Sequence, residues 1–386
     1  MPAMQATLHY FSERIRAASG HATPLRFRGG GSKDFYGQTL QGEVLDTRAY
    51  RGILSYEPSE LVMTVRAGTP MAEVQAALAE QGQCLPFEPP QFGVATVGGM
   101  VASGLAGPAR ASVGTVRDFV LGVRMLNGQG QDLTFGGQVM KNVAGYDVSR
   151  LMAGSLGQLG LITEVSLKVL PVAPAEATLM CVGVTQSQAL NLLNQWGGQP
   201  LPLNASAWVH DDTQQTAQDT LFVRLRGAVA AVEAAVLKMG AHVQALGAAV
   251  TRMDNTQATS DWQASGEQAL PFFTQAPTPD ACLWRLSVPQ TAPALNLQSL
   301  GLQDRPYIEW HGAQRWVWAP AAQAGALRAL AHRVGGHAVL FRTSTLHGDA
   351  DKAAGVFSPL DAVQQRIQDQ LKKQFDPAGI LNPGRI

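Results

Sequence analysis

Phe27-Arg28-Gly29-Gly30-Gly31-Ser32-Lys33 sets three consecutive glycines and a serine between two cations. These residue types in this order suit a diphosphate, which carries about two negative charges and takes several hydrogen bonds at once. Main-chain N–H groups in a glycine-rich concavity supply those bonds with no Cβ in the way. Gly29, Gly30, Gly31 and Ser32 form such a row, the Ser32 hydroxyl adds a donor, and Arg28 and Lys33 bring positive charge to its edges. A tight turn with no ligand is the competing reading, and four donors between two cations weigh against it. A second glycine-rich stretch begins at Gly93 and runs past Gly114, with strand-like sequence between the two. The pair implies one extended, phosphate-bearing cofactor held from two sides.

The familiar nucleotide fingerprints are absent. Gly154, Gly157 and Gly160 are spaced by three throughout, which does not match G-x-G-x-x-G, and Gly128-Gln129-Gly130 reads as a hairpin turn. Gly31-Ser32-Lys33 lacks the first glycine of a Walker A loop, and no G-x-S-x-G is present. Cys84, Cys181 and Cys282 are far apart, which excludes a C-x-x-C cluster site in this chain and gives no support to a disulfide framework. Lys plus Arg equals Asp plus Glu at 29 each, so no charge-driven binding of nucleic acid is expected. Hydrophobic residues reach 46% and charged residues only 15%, apolar enough that part of the surface is expected to face a partner. Residues 1–20 read as a short amphipathic helix without the apolar core of a signal peptide, and no run has the length of a membrane span. The expected compartment is the cytoplasm.

The elements that position these residues follow from pattern. Leu25-Arg26-Phe27 reads as a strand entering the first loop, and Leu40–Leu45, Leu61–Val65 and Val116–Leu126 as further strands. Thr69 and Pro70 mark the start of a helix through Met71–Gln81, and Thr96–Ser103 a short, tightly packed one. In Ile162–Leu170, Val165, Leu167 and Val169 alternate with Glu164, Ser166 and Lys168, predicting one buried and one polar face. Beyond Pro171 and Pro174 come strand patterns at Thr178–Val184, Ala205–His210, Thr220–Arg226, Cys282–Val288 and Trp316–Ala319. Helical patterns there cover Ser187–Trp196, Ala228–Met239 and Ala321–Val334. Thr251–Pro279 reads as a surface loop. Leu360–Phe375 reads as a helix striped by Val363, Ile367, Leu371 and Phe375.

Several motifs occur in an order that carries a resemblance: RGGGSKDFYG, ATVGGMVASGLAG, GTVRDFVLGVRML, KNVAGYDVSRLMAGSLGQLGLITEVSLKVLP and, at the far end, FDPAGILNPGRI. They resemble the FAD domain of the vanillyl-alcohol oxidase (PCMH-type) family, in particular its D-2-hydroxyacid dehydrogenase and glycolate oxidase branch. IEWHGAQRWVW and GGHAVLFR are similar to the smaller FAD-binding subunits of bacterial glycolate oxidases. The resemblance implies an α+β protein. A two-part PCMH-type FAD-binding domain (1–172) would be joined to an α+β cap domain with an antiparallel sheet (173–358), and a helix and tail (359–386) would return to the first domain. It implies FAD bound by Arg28, Gly29, Gly30, Gly31, Ser32 and Lys33, with Thr96, Val97, Gly98 and Gly99 on the other side of the diphosphate. Ser103, Gly104 and Gly107 would let backbone pass close to the flavin, Gly114 and Thr115 would hold the next turn, Gly160 and Ile162 would contact the adenine side, and Asn382 and Arg385 would return to the flavin edge, with simple packing of the tail as the competing reading. Covalent relatives carry a histidine where Ser32 stands, so the FAD is expected to be non-covalent. The partners implied are a larger homologous FAD-binding subunit and an iron–sulfur subunit, with glycolate or another small 2-hydroxy acid as substrate of the complex. Any membrane contact would be peripheral, through that complex.

Catalytic relatives carry a motif resembling H-A-G-D-G-N-L-H, whose histidines take a hydroxyl proton or bind a metal, while an arginine clamps the carboxylate. Gly335-Gly336-His337-Ala338 is only a remnant of it, and no second histidine has metal-ligand spacing, so no metal is expected. His337 or His311 as base and Arg342 or Arg315 as clamp are the candidates. Trp310 and Trp316 beside the second pair suit a partner interface equally well. His347 with Asp349 and Asp351 reads as a solvated loop. Three functions remain open at this point: a relay subunit of a glycolate-oxidising complex, a self-sufficient dehydrogenase of another 2-hydroxy acid, and a scaffold with a vestigial flavin site.

Overall fold

Apolar residues at helical spacing on the opening segment do form a helix, Pro2–His21, whose Leu8, Phe11 and Ile15 pack on Leu25, Leu45, Tyr50, Leu126, Leu161, Ile380 and Leu381. The structure, a computed structural model, describes residues 2–137, 147–213 and 216–386. The chain divides into two compact units: one is built from residues up to Ala106, Gly114–Val172 and Pro359–Ile386, the other from Gly107–Val113 and Ala173–Ser358.

In the first unit β1 (Leu25–Arg28) pairs in parallel with β2 (Glu43–Asp46). Strands β3 (Ile53–Glu57), β4 (Val62–Arg66), β6 (Val120–Leu126), β7 (Asp132–Gly136) and β8 (Leu161–Lys168) make an antiparallel sheet in the order β3-β4-β8-β6-β7. The short β5 (Gln83–Cys84) and β9 (Leu170–Pro171) pair separately. The central strand β8 is less one-sided than its alternation predicts. Ser166 is buried and meets Thr64 across the strands, Oγ to Oγ1 at 2.9 Å, and Glu164 accepts from the Tyr50 hydroxyl at 2.7 Å. Part of the polar face of this sheet is therefore satisfied by side-chain hydrogen bonds, one of them between paired strands.

Two local expectations change. Val116–Phe119 is a helical turn before β6, because Thr115 and Asp118 form a capping box: the Thr115 N–H and hydroxyl both donate to Asp118 Oδ2, at 2.7 and 3.0 Å. The helix Met71–Ala79 is capped at Pro70, and Thr69 instead accepts a hydrogen bond from Gly52 N at 2.8 Å.

The second unit carries an eight-stranded antiparallel sheet. In chain order its strands are β10 (Ala175–Val182), β11 (Leu203–Asp211), β12 (Gln218–Gly227), β13 (Ala249–Arg252), β14 (Ala281–Ser287), β15 (Tyr307–Glu309), β16 (Gln314–Pro320) and β17 (His337–Arg342). Across the sheet they run β13-β10-β12-β11-β15-β16-β14-β17. Helices Gln186–Gly197 and Val229–Gln244 bury Trp196, Val232 and Met239 in one core with β10–β12. Helix Ala324–Arg333 buries Leu327 and Leu330 in another with β14, β16 and β17. Helices packed on an antiparallel sheet make this the α+β unit expected. Strands β13, β15 and β17 were not foreseen. Gly107–Val113, expected in the first domain, packs in this unit: Trp310 Nε1 donates to Gly107 O at 3.0 Å, and the Arg110 guanidinium lies 4.4 Å from the Trp310 ring centre.

Thr251–Pro279 is not a plain loop. It contains a helix, Asn255–Gly266, started by Asp254, whose carboxylate accepts from Thr256 N and Gln257 N at 2.9 and 3.1 Å. Only Ala258, Trp262 and Ser265 of this helix are buried, so its apolar stripe was too thin to read. The helix Ala362–Phe375 has its stripe, yet Val363 and Ile367 are exposed, and Phe375 turns edge-on to Phe135. Removing the cap by Asp254→Ala should lower stability by about 1 kcal/mol in chemical denaturation, and Asp254→Asn should restore most of it.

Candidate cofactor-binding site

The two glycine-rich loops touch. A Cβ on Gly30 would lie 1.5 Å from Val94 O, and one on Gly29 would lie 2.2 Å from Thr96 Oγ1. The first loop leaves β1 where Thr47 N donates to Arg28 O at 3.0 Å. It turns at Gly31, whose φ of +74° favours glycine. Arg28 folds over that turn and its Nε donates to Asp34 Oδ2 at 2.9 Å. Lys33 Nζ reaches Gln91 O at 3.2 Å and lies 5.6 Å from the centre of the Phe92 ring.

Between the loops lies an open cleft with about 830 Å³ of empty space, its mouth included. It is lined by Arg28–Asp34, Thr96, Gly98, Gly99, Ser103, Gly160, Leu161, Ile162, Asn382 and Arg385, among others. Among the described residues, no hydrogen bond is made by the main-chain N–H of Gly29, Gly30, Gly31 or Ser32. Four consecutive half-buried donors facing a cleft with Arg28, Lys33 and Arg385 on its wall match the demand of a diphosphate. The donor set therefore fits a dinucleotide cofactor.

The second loop contributes shape more than donors. Val97 N is committed to Thr69 O at 3.0 Å and Gly98 N to Ala67 O at 2.8 Å, while Gly99 N is 3.4 Å from Thr96 Oγ1. Val97 is fully buried and does not reach the cleft. Gly104, Gly107, Gly114 and Thr115 do not line it either. Gly104 caps the helix Val97–Ser103 against Gly154, Gly107 O is held by Trp310, and Gly114 makes room for the Asp118 side chain that caps Thr115. Each of these glycines answers a local need for φ or space, which spacing alone could not separate from ligand contact. Asn382 lines the cleft with its amide committed: Oδ1 accepts from Phe27 N at 2.8 Å and Nδ2 donates to Leu156 O at 2.6 Å. Lys141–Tyr146 of the KNVAGYDVSRL motif lie outside the described residues.

The four catalytic candidates are all in the second unit, and the structure does not gather them. His311 is buried between two hydroxyls, Nδ1 to Ser206 Oγ at 3.0 Å and Nε2 to Ser112 Oγ at 2.8 Å. Trp310, His311 and Gly312 all have positive φ, so this histidine is fixed by a strained turn. Arg315 donates to the carbonyls of Gly312, Pro293 and Ala292 at 3.1, 2.5 and 2.6 Å, which makes it a buried brace instead of a carboxylate clamp. His337 is exposed at the start of the edge strand β17 and Arg342 stands at its other end, about 17 Å away at strand rise. The His347 region is more than a solvated loop, since buried Asp351 accepts from Ser344 N at 2.8 Å and from Cys282 Sγ at 3.3 Å. Sequence reasoning missed buried Glu309. It accepts from Ser265 Oγ, Gln314 Nε2 and Trp316 Nε1 at 3.2, 2.9 and 2.6 Å, and burial raises its pKa. Among the described residues no cluster of His, Cys, Asp and Glu could hold a metal, and no helix is long and apolar enough to cross a membrane.

Residues 7–150 match the family model described as FAD binding domain. The chain is 43% identical to glycolate oxidase subunit GlcE of Escherichia coli (strain K12), over 97% of this chain and 95% of that protein. It is 31% identical to glycolate oxidase subunit GlcD of Bacillus subtilis (strain 168), over 44% of this chain and 37% of the relative. A D-lactate dehydrogenase of Anaerostipes hadrus is 24% identical over 89% of this chain and 80% of its own length. Among solved structures, alkyldihydroxyacetonephosphate synthase superposes with a TM-score of 0.66 at 14% identity, covering 96% of this chain and 74% of that one, which shows the fold. The relatives define an FAD-dependent oxidoreductase subunit, and its fold is of the vanillyl-alcohol oxidase, PCMH type. Within it, the chain belongs to the family of glycolate oxidase subunit GlcE.

Gly30→Ala should weaken FAD binding at least tenfold in a flavin fluorescence titration, because its Cβ has no room, whereas Gly20→Ala, in open space, should leave it unchanged. Burial lowers the pKa of His311 to about 4, against about 6.5 in an unfolded chain. As pH falls below 6.5 the unfolded chain takes up this proton first. Stability present above pH 6.5, on the order of 3 kcal/mol, is therefore lost progressively down to pH 4. Denaturation across that range should show the slope, and His311→Gln should flatten it.

Proposed function

We propose that this chain is the flavin-holding relay subunit of a glycolate-oxidising complex. Its partners would be a larger homologous FAD-binding subunit, which oxidises glycolate to glyoxylate, and an iron–sulfur subunit, which accepts the electrons. The observation that carries the division of labour is the internal commitment of His311 to two serines and of Arg315 to three carbonyls. A 2-hydroxy acid needs a base at its hydroxyl and a bidentate cation at its carboxylate, and this pair is available for neither. The subunit names of the GlcE and GlcD relatives support the assembly.

FAD in the cleft supplies the redox chemistry, exchanging electrons in pairs or singly. The chain binds and orients it. The N–H groups of Gly29–Ser32 receive the diphosphate, Arg28 and Lys33 offset its charge, and Gly98 and Gly99 let backbone close in from the opposite wall. Gly160, Leu161 and Ile162 present an apolar surface suited to the adenine. Ser32 has no ring nitrogen with which to tether the flavin, so binding is dissociable.

The match to a D-lactate dehydrogenase across both units favours a second reading, a self-sufficient dehydrogenase of another small 2-hydroxy acid. The purified chain should be yellow, release its flavin to the supernatant on acid precipitation, and reduce a dye poorly with glycolate until the partner subunits are added. Flavin kept in the pellet refutes the non-covalent assignment. Anaerobic bleaching of the isolated chain by glycolate or D-lactate refutes the relay role in favour of the second reading.

A further inference from the structure

The loop that faces the cleft is the hardest part of this site to hold still. Gly29, Gly30 and Gly31 lose more backbone entropy on ordering than any other residue would. Their N–H groups, with that of Ser32, have no hydrogen-bond partner among the described residues to repay that ordering. Packing against Val94 and Thr96 holds its middle, and hydrogen bonds hold its ends. At the entering end, Thr47 holds Arg28 O. At the leaving end the brace comes from a segment more than 340 residues away in sequence.

Arg385 is buried. Its guanidinium donates to Lys33 O at 3.3 Å, to Asp34 O at 2.8 Å and to Gln38 O, and its own carbonyl accepts from Gln38 N at 3.0 Å. Gly37, at φ +91°, leaves the space this approach needs, since a Cβ there would lie 2.9 Å from Arg385 O. Three residues earlier Asn382 bonds Phe27 N and Leu156 O with its side chain, and its N–H donates to Leu25 O at 2.8 Å. Asn382–Arg385 thus touches the strand that enters the loop, the segment that leaves it and the Leu156 wall. Arg385 and Asn382 line the cleft while giving their hydrogen bonds to its walls.

We propose that Asn382–Ile386 is a strap that orders the diphosphate-facing loop, with Arg385 as its positioning residue, and that strap docking and FAD binding are one coupled equilibrium. The proposal rests on the reading of the Gly29–Ser32 cleft as the FAD site. By linkage, a strap that favours the ordered loop raises FAD affinity, and bound FAD holds the strap down by the same factor. A planar guanidinium can serve three carbonyls at once; an ammonium on a flexible stem holds them less well.

The test uses the full-length chain. FAD affinity is read by flavin fluorescence, and hydrogen exchange is followed in peptides covering residues 33–38 and 380–386 and the helix Pro2–His21, with and without FAD. FAD should slow exchange at the Gln38 and Asn382 amides at least tenfold in the unaltered protein. Arg385→Ala should raise the FAD Kd roughly 10- to 100-fold, within the usual range of such couplings, with exchange in Pro2–His21 unchanged. If Arg385→Ala loosens that helix too, Arg385→Lys decides, and it should raise Kd several-fold on an intact fold. An unaltered Kd in the informative variant, or strap exchange indifferent to FAD, overturns the coupling. Gly30→Ala separates the two levels: if it binds FAD normally, the cleft itself is misassigned; if it fails to bind while Arg385→Ala binds normally, only the strap is wrong.

Discussion

Gly30 has room for a hydrogen atom and nothing larger, because the carbonyl oxygen of Val94 occupies the place a Cβ would take. That contact, with the equally close approach of Gly29 to Thr96, brings two loops more than 60 residues apart in sequence into van der Waals contact. The cleft exists because they meet. It also explains why the amides of Gly29–Ser32 have no partner among the described residues: the backbone there is pressed against a neighbour on one side and opens to the cleft on the other. Unsatisfied main-chain donors are rare in folded proteins, and a consecutive row of them points to a ligand.

The charges around the cleft follow the same logic. Arg28 and Lys33 are each turned to a nearby acceptor, Asp34 or Gln91, and so stay close to the loop at half-exposed positions. Arg385 is drawn deeper and binds the carbonyls behind the loop. In the second unit, by contrast, buried polar residues serve the architecture. Glu309 gathers Ser265, Gln314 and Trp316, Arg315 gathers three carbonyls, and His311 joins Ser206 to Ser112. Such groups satisfy one another, and a buried polar group without a partner is costly. A histidine or arginine so engaged is a poor candidate for substrate chemistry, however suggestive its neighbours in sequence.

The first loop was legible residue by residue because its chemistry is local: glycines, a serine and two cations in one run. The helix Val97–Ser103, strand β8 and the long helices of the second unit were legible from period and from caps. Where the reading failed, a distant partner decided. Val97 and Gly98 look like donors until Thr69 and Ala67 take their N–H groups. Gly104 and Gly114 look like cofactor contacts until Gly154 and Asp118 are seen beside them. Val116 looks like the start of a strand until the Thr115–Asp118 capping box is noticed. The polar helix after Asp254 had too narrow an apolar face to stand out from loop sequence.

Sequence alone determined the cofactor class and the general architecture, since glycine clusters, strand alternation and an ordered set of motifs are properties of the chain itself. Tertiary structure decided which of the glycines face the cleft, that His311 and Arg315 are internal braces, and that Arg385 grips the segment next to the first loop. The physical reason is that a hydrogen bond has one donor and a cleft has two walls. Whether a group is available depends on what lies opposite it, and that neighbour is set by the fold and not by position along the chain.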